Sequence, residues 1–193
     1  MCECCGFGIE SKVDHTFLCS RCRDDPPYFD KARVAGRFRG VLRDLLLNFK
    51  YNQGLWLCND LVDVLHGCVT AYFEAATIDL VVPIPLAPIK QRSRSYNQAG
   101  ELGRELARRL NRQFSHDALK RVRATATQTR LGASARVANM RGAFDINVPG
   151  WVRGRTVLLV DDVMTTGATL NEAARVLRAN GATRVWATAV ARG

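Results

Sequence analysis

Hydrophobic spacing along this chain changes several times, and each change marks an element. From Arg39 to Tyr51, Leu42, Leu45, Leu46 and Phe49 recur at i, i+3, i+4 and i+7, which is one face of a helix. Leu57, Leu61, Val64, Leu65, Cys68 and Tyr72 continue in the same period and predict a second helix over about Leu55 to Ala76. The period then shifts. Ile78-Asp79-Leu80-Val81-Val82 is short, apolar and β-branched and runs into Pro83-Ile84-Pro85, as a buried strand does. A polar loop covers Lys90 to Gln98, and helical spacing returns at Leu102, Leu106 and Leu110. A short run around Leu119 to Val122 predicts a strand. Residues 123 to 142 are polar, rich in Arg and Thr, and without a period. Val157 to Val160 predicts another buried strand, Thr169 to Asn180 a helix stopped at Gly181, and Arg184 to Val190 a last strand. Strands alternating with helices give the fold class as α/β, a mostly parallel sheet flanked by helices.

Composition narrows the partners more than the fold. The chain has 193 residues, 47% of them hydrophobic, which excludes wholesale disorder. Its 28 Lys and Arg against 18 Asp and Glu leave a net charge of +10, which favours a polyanionic or phosphorylated partner. Arg33, Arg37, Arg39 and Arg43 form one cationic cluster, Arg104, Arg108, Arg109 and Arg112 another, and Arg121 with Arg123 a third. Each could follow a phosphate backbone, with Phe38 or Tyr96 near for stacking, or simply be a solvated face. The longest apolar stretch, Ile78 to Ile89, carries Asp79 and three prolines, so no membrane span is expected. The N-terminus opens on cysteines and charges, which argues for no secretory signal and a cytoplasmic, reducing location.

Cysteines concentrate at that end. Cys2-x-x-Cys5 and Cys19-x-x-Cys22 are separated by thirteen residues, the spacing of two knuckles converging on one tetrahedral Zn2+. With all four positions filled by sulfur the site is closed, so the expected ion is structural. Cys5 is the expected partner of Cys2, with the adjacent Cys4 as a spare thiol or substitute ligand and His15, between the pairs, as a further alternative. Gly6 and Gly8 suit the tight turn, and Pro26-Pro27 ends the module. Cys58 and Cys68 fall on the helical pattern and are expected to be core.

The stretch that carries chemistry is Thr156-Val157-Leu158-Leu159-Val160-Asp161-Asp162-Val163-Met164-Thr165-Thr166-Gly167-Ala168-Thr169. It reads as a strand, an acidic pair, a small-residue loop and a helix start. In an open parallel sheet, ligands bind at the carboxyl ends of strands, and a helix start there offers unpaired amides to an anion. Thr165, Thr166 and Thr169 can add hydroxyl donors, Gly167 lets the backbone close, and Ala168 leaves room. Asp161 and Asp162 would repel that phosphate and need donors instead, which the vicinal hydroxyls of a ribose supply. A nucleoside triphosphatase is excluded because no Gly-x4-Gly-Lys-Ser/Thr loop occurs. A receiver domain is excluded because too little chain follows Asp161.

The segment Val160 to Thr169 resembles the ribose-phosphate signature of type I phosphoribosyltransferases, and nearly the whole chain resembles the ComF family of bacterial DNA uptake. The likeness includes the Cys4 ribbon, Pro83-Ile84-Pro85, the stretch Arg92-Ser93-Arg94-Ser95-Tyr96-Asn97-Gln98, and the set Arg123, Thr127, Gln128, Leu131, Arg136, Asn139 and Phe144. The family usually has Gly where this chain has Ser95.

That resemblance implies three regions: a zinc ribbon over 1–27, a helical hood over 28–77 and a phosphoribosyltransferase-like core over 78–193. It implies phosphoribosyl pyrophosphate as ligand, with Asp161 and Asp162 as catalytic residues on the ribose hydroxyls and Thr165, Thr166, Gly167, Ala168 and Thr169 around the 5-phosphate. Lys90, Arg92, Arg94, Gln128 and Arg136 would meet the pyrophosphate, with Arg123, Arg130 and Asn139 near them on the candidate lid 123–142. Mg2+ would accompany the ligand. Lys50, Tyr51 and Trp56 would face an acceptor base or strand. Two functions compete: a competence protein handling incoming single-stranded DNA, with DNA-uptake channel or helicase proteins as possible partners, and a nucleobase phosphoribosyltransferase of salvage.

Overall fold

The computed structural model describes residues 1–8, 17–52, 54–86, 96–123 and 133–193. At its centre is a five-stranded parallel sheet built from β1 (Lys31–Arg37), β2 (Leu80–Pro83), β3 (Gln113–Phe114), β6 (Thr156–Met164) and β7 (Arg184–Arg192), in the order β1-β7-β6-β2-β3. Two further strands, β4 (Leu119–Arg121) and β5 (Phe144–Ile146), pair antiparallel outside it. The helices are α1 (Ser20–Asp24), α2 (Gly40–Tyr51), α3 (Cys58–Tyr72), α4 (Gln98–Leu110), α5 (Ala133–Met140) and α6 (Ala168–Ala179).

The strands are apolar on both faces because both are covered. Val81, Leu158, Val160, Trp186 and Val190 pack with Leu46, Phe49, Leu61, Leu65, Leu102 and Leu106 of α2, α3 and α4. The alternate residues Leu80, Val82, Val157, Leu159, Val185 and Ala187 pack with α6, the β4–β5 pair and the ribbon cysteines. Alternation at period two therefore sorts one strand's side chains into two separate cores. Cys68 is buried and Cys58 packs partly buried against the first of these cores, as their helical spacing predicts.

Three elements depart from the sequence pattern. Lys31–Arg37, inside the segment expected to be helical, is the edge strand β1, with Ala32 and Arg33 buried and a register that sets Arg33 opposite Thr188. Its Ala-Arg-Val-Ala-Gly run has no strong period of either kind, and pairing with β7 decides it. The stretch 123–142, read as one aperiodic loop, contains α5 over 133–140, whose three Ala with Arg136 and Met140 supply the propensity and whose partner is α6. Strand β6 continues beyond the apolar run through Asp161 and Asp162 to Met164, because β7 reaches equally far and pairs Asp161 with Ala189 and Met164 with Arg192. The run at 119–122 is a strand as expected, but it belongs to the small antiparallel pair.

Candidate functional site

Chain direction puts a topological switch point at the carboxyl ends of two central strands. From β2 the chain passes through α4 to β3 on one side, and from β6 through α6 to β7 on the other, so the winding reverses between β2 and β6. Such a switch point is where open α/β sheets bind ligands. Strand β2 ends at Pro83, level with Val160, so Asp161 and Asp162 project past it. Asn97 holds the exit from β2 by donating to the Ile84 carbonyl at 3.1 Å.

The two acids are unequal. Burial, and after it the charge of Asp162, push the Asp161 carboxyl up to about 7, against the pull of the Asp162 amide, Lys50 and Arg121. Asp162 donates its amide to Asp161 Oδ1 at 2.9 Å, and its own carboxylate meets the Lys50 ammonium at 2.9 Å. Arg121, on β4, holds its guanidinium over the Phe144 ring with 5.5 Å between them. Burial lowers its pKa while the Asp161 charge works the other way. The sequence offers Arg121 only as a member of a cationic cluster on the predicted strand 119–122, because its approach to Asp161 comes from another part of the chain and leaves no mark in local spacing.

Past Met164 the backbone turns at Gly167, whose φ of +80° is left-handed, and enters α6. A Cβ at Gly167 would fall 2.7 Å from the Met164 methyl. The first helical bond runs from the Asn171 amide to the Gly167 carbonyl at 2.8 Å, and the Thr166 hydroxyl lies 3.4 Å from the Ala168 amide. Thr165, Thr166, Gly167, Ala168 and Thr169 are thus gathered at a helix start beside the acid pair. A cavity of about 420 Å³ separates this loop from the ribbon, lined by Phe7, Arg21, Phe29, Thr165, Thr166 and Asn171 among others.

In the ribbon, Cys2, Cys5, Cys19 and Cys22 bring their sulfurs within 4.8 Å of one another, and Cys5 and Cys19 are 3.8 Å apart. A tetrahedron of bonds near 2.3 Å has edges of roughly 3.8 Å, so the set fits a zinc-sized ion. Burial alone would raise the Cys2 thiol, but the amides of Cys19, Cys5 and Cys4 outweigh it and bring it down to about 6. Cys4 is outside the set: its thiol faces the Phe29 carbonyl at 3.8 Å, and burial pushes it up to about 11. Gly6 has φ +69°, and a Cβ there would lie 2.7 Å from the Ala32 carbonyl; Gly8 meets no such crowding.

The structure does not bring every expected residue to this site. Lys90, Arg92, Arg94, Gln128, Thr127, Arg130, Leu131 and His15 are outside the described residues, as is the side chain of Arg136. Arg123 donates to the carbonyls of Asn139 and Arg141, each at 2.7 Å, and so braces the end of α5. Of the proposed cationic clusters, Arg33 is buried with its guanidinium on the Ala32 carbonyl, so it leaves the surface set. On α4, Arg104 pairs with Glu101, Arg108 with Glu105, and Arg109 with Glu105 and Asp63, which neutralises most of that row. Tyr51 and Trp56 remain 66% and 75% exposed, whereas Lys50 turns inward. Among the described residues no helix is long and apolar enough to cross a membrane.

Residues 78–193 match the model of the phosphoribosyl transferase domain. Competence protein F of Haemophilus influenzae is 33% identical over 99% of this chain and 84% of its own length. The DNA utilization protein YhgH of Escherichia coli K12 is 33% identical over 96% of this chain and 81% of its own. A ribose-phosphate pyrophosphokinase of Mesorhizobium japonicum is 31% identical over 83% of this chain and half of its own.

Proposed function

Because this chain belongs to the ComF family of phosphoribosyl transferase domain proteins, we propose that it binds phosphoribosyl pyrophosphate and serves DNA uptake, handling incoming single-stranded DNA in the cytoplasm. The observation that carries the ligand is the succession, at one switch point, of two carboxylates and a small-residue loop that opens a helix. Asp161 and Asp162 accept from the ribose hydroxyls, and charge-assisted bonds of this kind are among the stronger ones available. The amides and hydroxyls of residues 165–169 hold the 5-phosphate at the positive end of α6. Lys90, Arg92, Arg94, Gln128 and Arg136 are assigned to the pyrophosphate, since arginine forks donate two bonds to such oxygens.

Mg2+ would accompany the ligand and would offset the charge of its pyrophosphate. Zinc in the ribbon is structural, since four sulfurs leave it no open position. Support for the DNA role comes from the names of the relatives and from the net charge of +10.

Calorimetry with phosphoribosyl pyrophosphate and Mg2+ tests the ligand. Binding of single-stranded DNA that weakens steeply with salt tests the DNA role. Pyrophosphate release with one of the common nucleobases at an enzyme-like rate would instead establish a salvage transferase.

A further inference from the structure

Lys50 lies near the end of α2, yet its ammonium is not on the helix exterior. It reaches 2.9 Å from Asp162 Oδ2, with the two side chains 16% and 14% exposed. An ion pair this dehydrated costs about as much to desolvate as it returns, so stability alone is a weak reason for it. The backbone beneath it is fixed. Phe49 is wholly buried, its carbonyl accepts from the Tyr96 hydroxyl, and the two rings are 5.5 Å apart. The Lys50 carbonyl accepts from Gln98 Nε2 at 3.5 Å. Tyr96 and Gln98 flank Asn97, which holds the exit from β2, so the end of α2 is tied to that exit and Lys50 reaches the acid pair from there. Its Cα is pinned while its four-carbon stem stays free to turn.

We propose that Lys50 is a ligand-binding residue that changes partner: it holds Asp162 in the empty site and passes to the pyrophosphate oxygens when the ribose takes that carboxylate. This rests on the phosphoribosyl reading above. A neutral hydroxyl is a poor replacement for an ammonium at a dehydrated carboxylate, because the displaced cation would be stranded. A ligand that brings both a diol and an anionic diphosphate gives the ammonium a new partner in the same step. Lys50 therefore sets the preference for phosphoribosyl pyrophosphate over ribose 5-phosphate, which carries the same diol and 5-phosphate but no diphosphate.

The test is calorimetry of both sugars, with Mg2+, on wild type, Lys50→Met and Lys50→Arg, with Lys50→Gln in reserve should the Met variant misfold. The expected result is a loss of about tenfold to a hundredfold in affinity for phosphoribosyl pyrophosphate in Lys50→Met, the size of one charge-assisted bond. Ribose 5-phosphate should bind within about twofold of wild type or more tightly, and Lys50→Arg should restore most of the preference. Equal losses for both sugars, or unchanged or tighter binding of phosphoribosyl pyrophosphate, would overturn the exchange. If wild type binds neither sugar, the phosphoribosyl reading fails and this inference falls with it.

Discussion

The Arg192 guanidinium, on the last residue of β7, donates to the Cys5 carbonyl at 2.8 Å. Arg192 is also the register partner of Met164, which precedes the loop at Thr165–Gly167, and its guanidinium lies 5.7 Å from the Phe7 ring centre. The cysteine cluster is thereby tied to the loop at Thr165–Gly167. Cys2, Cys5 and Cys22 share a core with Phe29, Met164 and Ala168.

Stripping the metal should therefore disturb more than the ribbon. Purified protein should contain about one zinc per chain by elemental analysis. Cys5→Ser should lose it and Cys4→Ser should keep it. Chelation should lower Tm and weaken phosphoribosyl pyrophosphate together, and an intact ligand affinity in metal-free protein would show that the two sites are independent.

Replacing both acids, Asp161→Asn with Asp162→Asn, should abolish measurable sugar binding. Two bonds to charged acceptors are removed, each worth about 1.5–3 kcal/mol, so the loss should exceed about a hundredfold. Far-ultraviolet circular dichroism should be unchanged, because both side chains stand past the end of β2 and outside the main cores. A double variant that binds like wild type would move the ligand elsewhere.

Gly167→Ala should cost about 1 kcal/mol of stability. The clash is with the Met164 methyl, the far end of a flexible side chain that can yield, so the φ of +80° dominates. Ligand affinity should fall further than stability, since the loop must close around the phosphate. Denaturant titration beside calorimetry separates the two effects.

Stability should also decline as pH rises. A carboxyl whose folded pKa is raised binds its proton more tightly in the fold, so the contribution of Asp161 is complete below about pH 4, the unfolded value, and is lost as pH passes about 7. Asp162 and Lys50 share the same field, so the expected effect between pH 5.5 and 8 is on the order of 1 kcal/mol, or about 2–4 °C in Tm. Asp161→Asn should flatten this slope in thermal melts, and an unaltered slope would assign the pH dependence to another group.

Much of this was legible without coordinates, for physical reasons. Periods of two and 3.6 record which faces are buried, so α2, α4, β2 and α6 lie close to where their apolar residues put them. Cys-x-x-Cys spacing records a turn that brings two sulfurs together, and a small-residue run after an acidic strand end records the left-handed turn into α6, because each is a local requirement of backbone geometry. Long-range placement left no such record. Lys31–Arg37 is a strand because β7 offers it a free edge, and the paired arginines of α4 owe one partner to Asp63 on another helix. Nothing in the spacing from Lys50 to Asp162 announces their contact. Only the packing of α2 against the sheet brings that ammonium to the acid pair, since an ion pair between distant residues depends on distance in space and leaves no period in the chain.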